Sequence, residues 1–300
     1  MRQAFFAGFL VLIAFVGTVQ AADRVALTDE PSREELGRYA AVLEGGGRYI
    51  PRKFEFPKHV VMGKTYGIDV SHYQGVINWK NVAGQGVSFA YVKATQGQSN
   101  FDGRFSTNWK ALKSLESGRQ PIRRGAYHFM TASDTPEQQA NNFIATVGAL
   151  TASDMPPCLD IEWNFVRKGK EFAKDAKGKN IDSWSSHDSA EIVRRAKIWL
   201  DLVEKATGKR PVIYTNATWW RERIGADVQL SSYKLWISDY SSASLNQEAP
   251  RIPKDFKWAM WQMTDTGRIE AAGLVKGLDT NILAADDMDL SALFTATASK

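Results

Sequence analysis

The chain opens on an apolar block and then changes character twice. In residues 1–22, MRQAFFAGFLVLIAFVGTVQAA, an almost unbroken apolar run from Ala4 to Val16 follows a single Arg2, and small residues close it at Ala21 and Ala22. The run is shorter than the ~20 residues that span a bilayer. Its order of charge, apolar core and small residues is that of a cleaved secretory signal, so no stable membrane insertion is expected after cleavage. Residues 23–65 show no sustained period. Ser32 and Glu35 form a capping-box pattern for a short helix ending at Gly45-Gly46-Gly47, and a Pro-, Lys- and Arg-rich stretch follows to Lys64. This segment is read as an N-terminal arm or linker.

From Tyr66 onward short apolar runs recur at strand length: 66–71, 87–95, 122–130, 157–163, 211–216, 233–240, 257–264 and 277–283. Helical signals fall between the earlier ones. Thr135-Pro136-Glu137-Gln138 opens a helix to about Leu150, Asp188 to Glu191 opens one that Gly208 stops, and Arg104 to Ser117 is a third. Eight strands with few helices among the later ones predict an α/β fold, an irregular TIM-like (β/α) barrel over 66–290. Residues 166–187 read as a polar, Lys-rich, mobile surface insertion, and 291–300 as a tail.

Composition narrows this picture. Of 300 residues, 44% are apolar, which suits a folded core. The single cysteine excludes a disulfide framework, and the four histidines at 59, 72, 128 and 187 have no metal-ligand spacing. No Gly-rich phosphate loop and no Ser-His-Asp arrangement occurs. The formal charge of +5 is a slight, scattered excess. It points away from nucleic acid and suits a protein that meets an anionic polymer.

The chemistry gathers at strand ends. Asp69, Asp160, Glu162 and Asp239 close expected strands, and Asp279 lies in the last. Alternation puts Asp160 and Glu162 on one face, with Cα atoms ~6.6–6.8 Å apart. The C-terminal strand ends are where β/α barrels place active sites. Paired carboxyls there suit glycoside hydrolysis, one donating a proton to the leaving oxygen and another steadying positive charge at the anomeric carbon. From spacing alone, ion pairing to Lys93, Arg123 or Arg124 is an equal reading, and a divalent metal site is a third.

These pieces resemble glycoside hydrolase family 25, the Chalaropsis-type lysozymes or N-acetylmuramidases. The matching runs are GIDVSHYQG (67–75), FAYVKATQG (89–97), RRGAYHF (123–129), LDIEW (159–163), PVIYTN (211–216), LWISDY (235–240), WAMWQMT (258–264) and LDTNIL (278–283). The resemblance implies cleavage of the β-1,4 bond between N-acetylmuramic acid and N-acetylglucosamine in peptidoglycan glycan strands. Glu162 then matches the general acid. Asp160 matches the partner that assists the N-acetyl group or the oxocarbenium centre, the attacking group being either that N-acetyl or Asp160 itself. Asp69 and Asp279 match supporting carboxylates. Tyr127, Trp163, Tyr214, Trp236, Asp239 and Gln262 are candidate sugar contacts, with core packing an alternative for the aromatics. No metal or organic cofactor is expected. A monomer is expected, exported to the periplasm or beyond. A chitinase-like barrel glycosidase and a non-catalytic wall-binding protein are the rival readings.

Overall fold

The computed structural model describes residues 24–27, 54–56, 64–169, 171–241, 244 and 247–284. The expected signal segment, the Ser32–Glu35 helix and the C-terminal tail lie outside them. Eight strands close into a barrel: β1 (Tyr66–Val70), β2 (Val87–Gln96), β3 (Arg123–Phe129), β4 (Cys158–Asp160), β5 (Val212–Asn216), β6 (Leu235–Ser238), β7 (Trp258–Ile269) and β8 (Leu274–Leu283). All eight apolar runs read from the sequence are strands. β1 to β7 pair in parallel around the ring. β8 runs antiparallel to both β7 and β1 and closes it. That reversal was not legible in the apolar runs, which carry no direction. Its cause is the connection: β7 and β8 are joined by a single 3₁₀ turn, Glu270–Ala272, ending at Gly273 in the left-handed region. A connection that short makes a hairpin, whereas a parallel crossover needs a dozen or more residues.

Alternation sorts the strands into two layers. Phe89, Tyr91, Tyr127, Cys158, Val212, Tyr214, Trp236, Met260 and Leu283 form one cluster drawn from seven strands, which is the barrel interior. Cys158 lies here, one position below Asp160 on the same face. The interior is filled by aromatic rings, and two glycines make the space. A Cβ at Gly67 would stand 2.3 Å from the Phe89 ring, and one at Gly125 2.4 Å from Tyr91. The alternate positions, among them Ile68, Leu159, Ile161, Ile213, Leu235, Ile237 and Trp261, pack outward against the helices.

The helices are α1 (Trp79–Ala83), α2 (Phe105–Leu115), α3 (Pro136–Val147), α4 (Ser189–Thr207) and α5 (Ala217–Arg223). Thr135 caps α3 through the Gln138 N–H, with Pro136 at its first turn. Asp188 caps α4, Gly208 ends it at φ 69°, and Ile192, Ala196, Trp199, Leu200 and Val203 form its buried stripe. Two short pieces of the arm lie on the barrel: Val25–Ala26 pairs with Asn100–Phe101, and Phe54–Glu55 with Gly267–Arg268. Among the described residues no helix is long and apolar enough to cross a membrane.

The layer between β3 and the helices holds a buried histidine. His128 alternates with Tyr127 and so faces outward. Its Nδ1 lies 2.7 Å from Thr95 Oγ1 and its Nε2 3.2 Å from Gln139 Oε1, and its ring stacks on Trp199. Burial first, with the charge of Lys93 adding, lowers its pKa to about 3, against the pull of the Gln139 hydrogen bond. The folded state therefore holds neutral imidazole while the unfolded chain takes up a proton below about pH 6.5. Stability from this group is complete above that pH and falls as pH drops toward 3. Urea unfolding followed from pH 7 to pH 4 should show it as a loss approaching about 1.4 kcal/mol per pH unit. The slope should shrink in His128→Gln.

The 166–187 segment is not the loose insertion that its polarity predicts. It is a folded double-turn hairpin, with Arg167–Lys168 pairing Glu171–Phe172, a second bridge between Lys174 and Asn180, and a base closed by Phe165 and Asp182. A 3₁₀ turn follows at Ser183–Ser186, and its Trp184 is fully buried against Trp219. Trp184 is thus a core anchor. Polarity of the neighbouring residues hid it.

Candidate active site

The carboxylates gather at the mouth where β1 to β7 end. Asp69 closes β1. Because β8 is antiparallel, Asp279 at its upper part stands directly opposite Asp69 in register. Asp160 closes β4, beside Tyr214 on β5. The strand stops there, three residues earlier than the apolar run predicts. The backbone pairing runs one residue further, Ile161 N–H donating to Tyr214 O with its side chain packed outward, and Glu162 follows on the parity of Asp160, buried. All four are buried, with exposures of 1% for Asp69, 0% for Asp160, 2% for Glu162 and 6% for Asp279.

A hydrogen-bond network spans the floor between them. Asp69 Oδ2 accepts from Gln262 Nε2 at 2.9 Å and from Asn281 Nδ2 at 2.8 Å. Each amide is fixed in orientation by a donor on its other side. Gln262 Oε1 accepts from the Tyr214 hydroxyl at 2.9 Å and from the Tyr240 hydroxyl. Asn281 Oδ1 accepts from Trp236 Nε1 at 2.7 Å. With both carbonyls engaged, only N–H groups can face Asp69. The network so runs from Tyr214, the register neighbour of Asp160, across Gln262 to Asp69, which stands opposite Asp279 in register. Burial, then the Tyr214 hydroxyl and the charges of Asp279, Asp265 and Asp69, holds the Tyr240 phenol well above its usual range. It therefore stays a donor at any working pH.

The candidate sugar contacts divide by strand parity. Tyr214 and Gln262 belong to the floor network. Trp236 is fully buried inside the barrel between Tyr91 and Tyr214, where its Nε1 orients Asn281. Tyr127 lies in the interior beside Cys158, one layer beneath Asp160. Trp163 and Asp239 are elsewhere. Trp163 is on the outward parity of Leu159 and Ile161 and stacks on Phe165. Asp239 follows Ile237 outward. Its carboxylate accepts from Arg251 Nε and N–H at 2.9 Å and from Ser244 and Ser241, so it clamps the 239–251 loop. Strand-end acidity and strand parity agree for Asp69 and Asp160 and disagree for Asp239.

Three residues of the site were missed. Tyr240 was passed over for its acidic neighbour. Asn281 lies two residues past Asp279 on the same face. Asp265 comes within electrostatic reach of Tyr240 after a register shift between Gln262 and Thr264 re-aims β7. It sits one residue beyond the strand end read from the sequence, where the same strand-end signal would have found it.

The ion-pairing alternative loses Arg124, which points outward to Asp154 at 2.6 Å. Among the described residues no group of three or more His, Cys, Asp or Glu is placed to hold a metal ion. A cavity of about 460 Å³ on the flank, between α5 and the 251–256 loop, is lined by none of these carboxylates.

The family model described as "Glycosyl hydrolases family 25" matches residues 68–272. A protein of Escherichia coli O157:H7, "Uncharacterized protein YegX", is 32% identical over 250 residues, covering 81% of this chain and 78% of that protein. Lysozyme M1 of Streptomyces globisporus is 31% identical over 237 residues, covering 77% of this chain and 72% of that protein. Among solved structures, the bacterial lysozyme of Streptomyces coelicolor superposes with a TM-score of 0.65 at 30% identity, over 79% of this chain and 100% of that one.

Proposed function

The chain belongs to glycosyl hydrolase family 25 and is a glycoside hydrolase of the lysozyme type, and from that premise we propose that it cuts the β-1,4 bond from N-acetylmuramic acid to N-acetylglucosamine with Glu162 as general acid. What supports the assignment of residues is that Glu162, Asp160, Asp69 and Asp279 are all buried at the mouth, with Tyr214 beside Asp160 linked to Asp69 through Gln262. Glu162 protonates the leaving oxygen. Asp160 stands on the same face and assists the N-acetyl group or the oxocarbenium-like centre. Asp69, held by two amide donors, and Asp279 beside it supply the negative field in which positive charge at the anomeric carbon develops. Tyr214, Tyr240, Trp236, Gln262 and Asn281 are positioning residues for Asp69. The apolar segment 1–22 carries the enzyme to the periplasm or outside, where peptidoglycan is met.

Mass spectrometry of fragments released from purified peptidoglycan tests this. The expected products end in reducing N-acetylmuramic acid. A 1,6-anhydro end would mark a lytic transglycosylase, a reducing N-acetylglucosamine end a different bond specificity, and turnover of chitin without turnover of wall a different substrate class.

A further inference from the structure

The charge of this chain is less scattered than its composition suggests. Residues 166–181 hold six Lys and Arg against two acids, a surplus of four in a chain whose total is +5. In the fold the described residues of this stretch make up the double-turn hairpin that begins four residues after Glu162. Arg167, Lys168, Lys174, Lys177 and Lys179 are all exposed. Neither acid cancels them fully. Glu171 faces Lys168 across the first turn, while Asp175 has its Oδ1 taken by the N–H groups of Lys177 and Lys179 and so closes the second.

A charge run is usually a solvated face, and a loop of like charges repels itself and extends. Here the chain holds it in one shape. At the base, Asp182 accepts from Asn164 N–H, Trp184 N–H, Trp219 Nε1 and Arg223 Nε, the last at 2.8 Å. On the other side a run of aromatic contacts starts beside Glu162: Trp163 stacks on Phe165, and Phe165 meets Phe172 in the hairpin at 5.3 Å. The hairpin is thereby anchored to the segment that follows β4 and bears Glu162. Each turn is flanked by arms of only two or three residues, ~7–10 Å at strand rise, so the charges stay close to the hairpin's root four residues after Glu162.

We propose that the hairpin 166–181 is a cationic docking arm that binds the carboxylates carried by the peptide substituents of the peptidoglycan strand being cut. This rests on the muramidase reading and adds to it a recognition element outside the cleft. Every muramic unit bears such a substituent, so an arm rooted beside the scissile bond meets one at each position along the strand. At physiological ionic strength exposed charges act over ~8 Å, so the contact is local to the arm.

Co-sedimentation with sacculi stripped of phosphate polymers reads the arm without relying on turnover. The combined Lys168→Gln, Lys174→Gln, Lys177→Gln and Lys179→Gln variant leaves Arg167 on Phe172 and the anchors intact. At low salt it should bind about tenfold more weakly and with a flatter salt dependence. The same four positions changed to Arg should bind like wild type. Wild type on sacculi whose carboxylates are capped as methylamides should fall to the level of the Gln variant. Unchanged binding by the Gln variant overturns the proposal, as does undiminished wild-type binding to capped sacculi, or a loss seen only where phosphate polymers remain. If wild type binds but releases no reducing muramic ends, the muramidase reading fails and the result on the arm stands.

Discussion

Glu162→Gln should reduce release of reducing ends from peptidoglycan by at least ~10²-fold, and up to ~10⁴-fold, the range for loss of a general acid. The substitution keeps volume and shape in a site where the side chain is 2% exposed, so the fold and wall binding should persist. What disappears is the acidic proton for the leaving oxygen. Two measurements separate this from a general injury to the site. Co-sedimentation of the variant with sacculi should match wild type. An aryl glycoside whose leaving group departs without protonation should lose much less than the natural bond. Near-wild-type turnover of wall by the variant would reject Glu162 as the acid.

Asp160→Asn should cost about 10²–10³-fold, the scale for removing one preorganised electrostatic contact to a transition state. The residue is fully buried at the end of β4, and the amide fits the same space with its charge removed. The loss should fall on kcat, because the charge matters most when the anomeric carbon is cationic. Asp160→Gly in the presence of azide then separates the two ways in which Asp160 can act. If Asp160 attacks directly, azide enters from its side and an α-glycosyl azide accumulates. If the N-acetyl group attacks, azide leaves the rate unchanged. Undiminished activity in Asp160→Asn would remove it from the chemistry altogether.

Much of this architecture was legible in the chain because strands and caps leave local marks. The eight strands announce themselves as apolar runs, and Thr135, Pro136, Asp188 and Gly208 mark helix ends by their own chemistry. Alternation correctly sends His128 outward and Cys158 inward. The errors come from features that no local pattern encodes. Strand direction depends on the length of the β7–β8 connection, and with it the pairing of Asp279 with Asp69. Trp184 is buried by contacts to Trp219 that lie 35 positions away in the chain. Asn281 and Gln262 look like ordinary polar strand residues until both are seen to end on one carboxylate. Trp163 stacks on Phe165 and Asp239 binds Arg251, contacts that neither residue type nor place at a strand end announces.

The reversed last strand carries a consequence for how the enzyme is made. Asn281 reaches Asp69 across 212 positions of chain, and Asp279 meets it only through the seam that closes the ring. Such distant pairing bears the full entropy of loop closure before any contact returns it. A chain halted before Leu274 would own Asp69, Asp160 and Glu162 but neither Asp279 nor Asn281, one of the two amides that hold Asp69. Under the proposed assignment, catalytic competence arrives last, with the seating of the final strand. Under that assignment a partly synthesised or clipped molecule lacks the complete site.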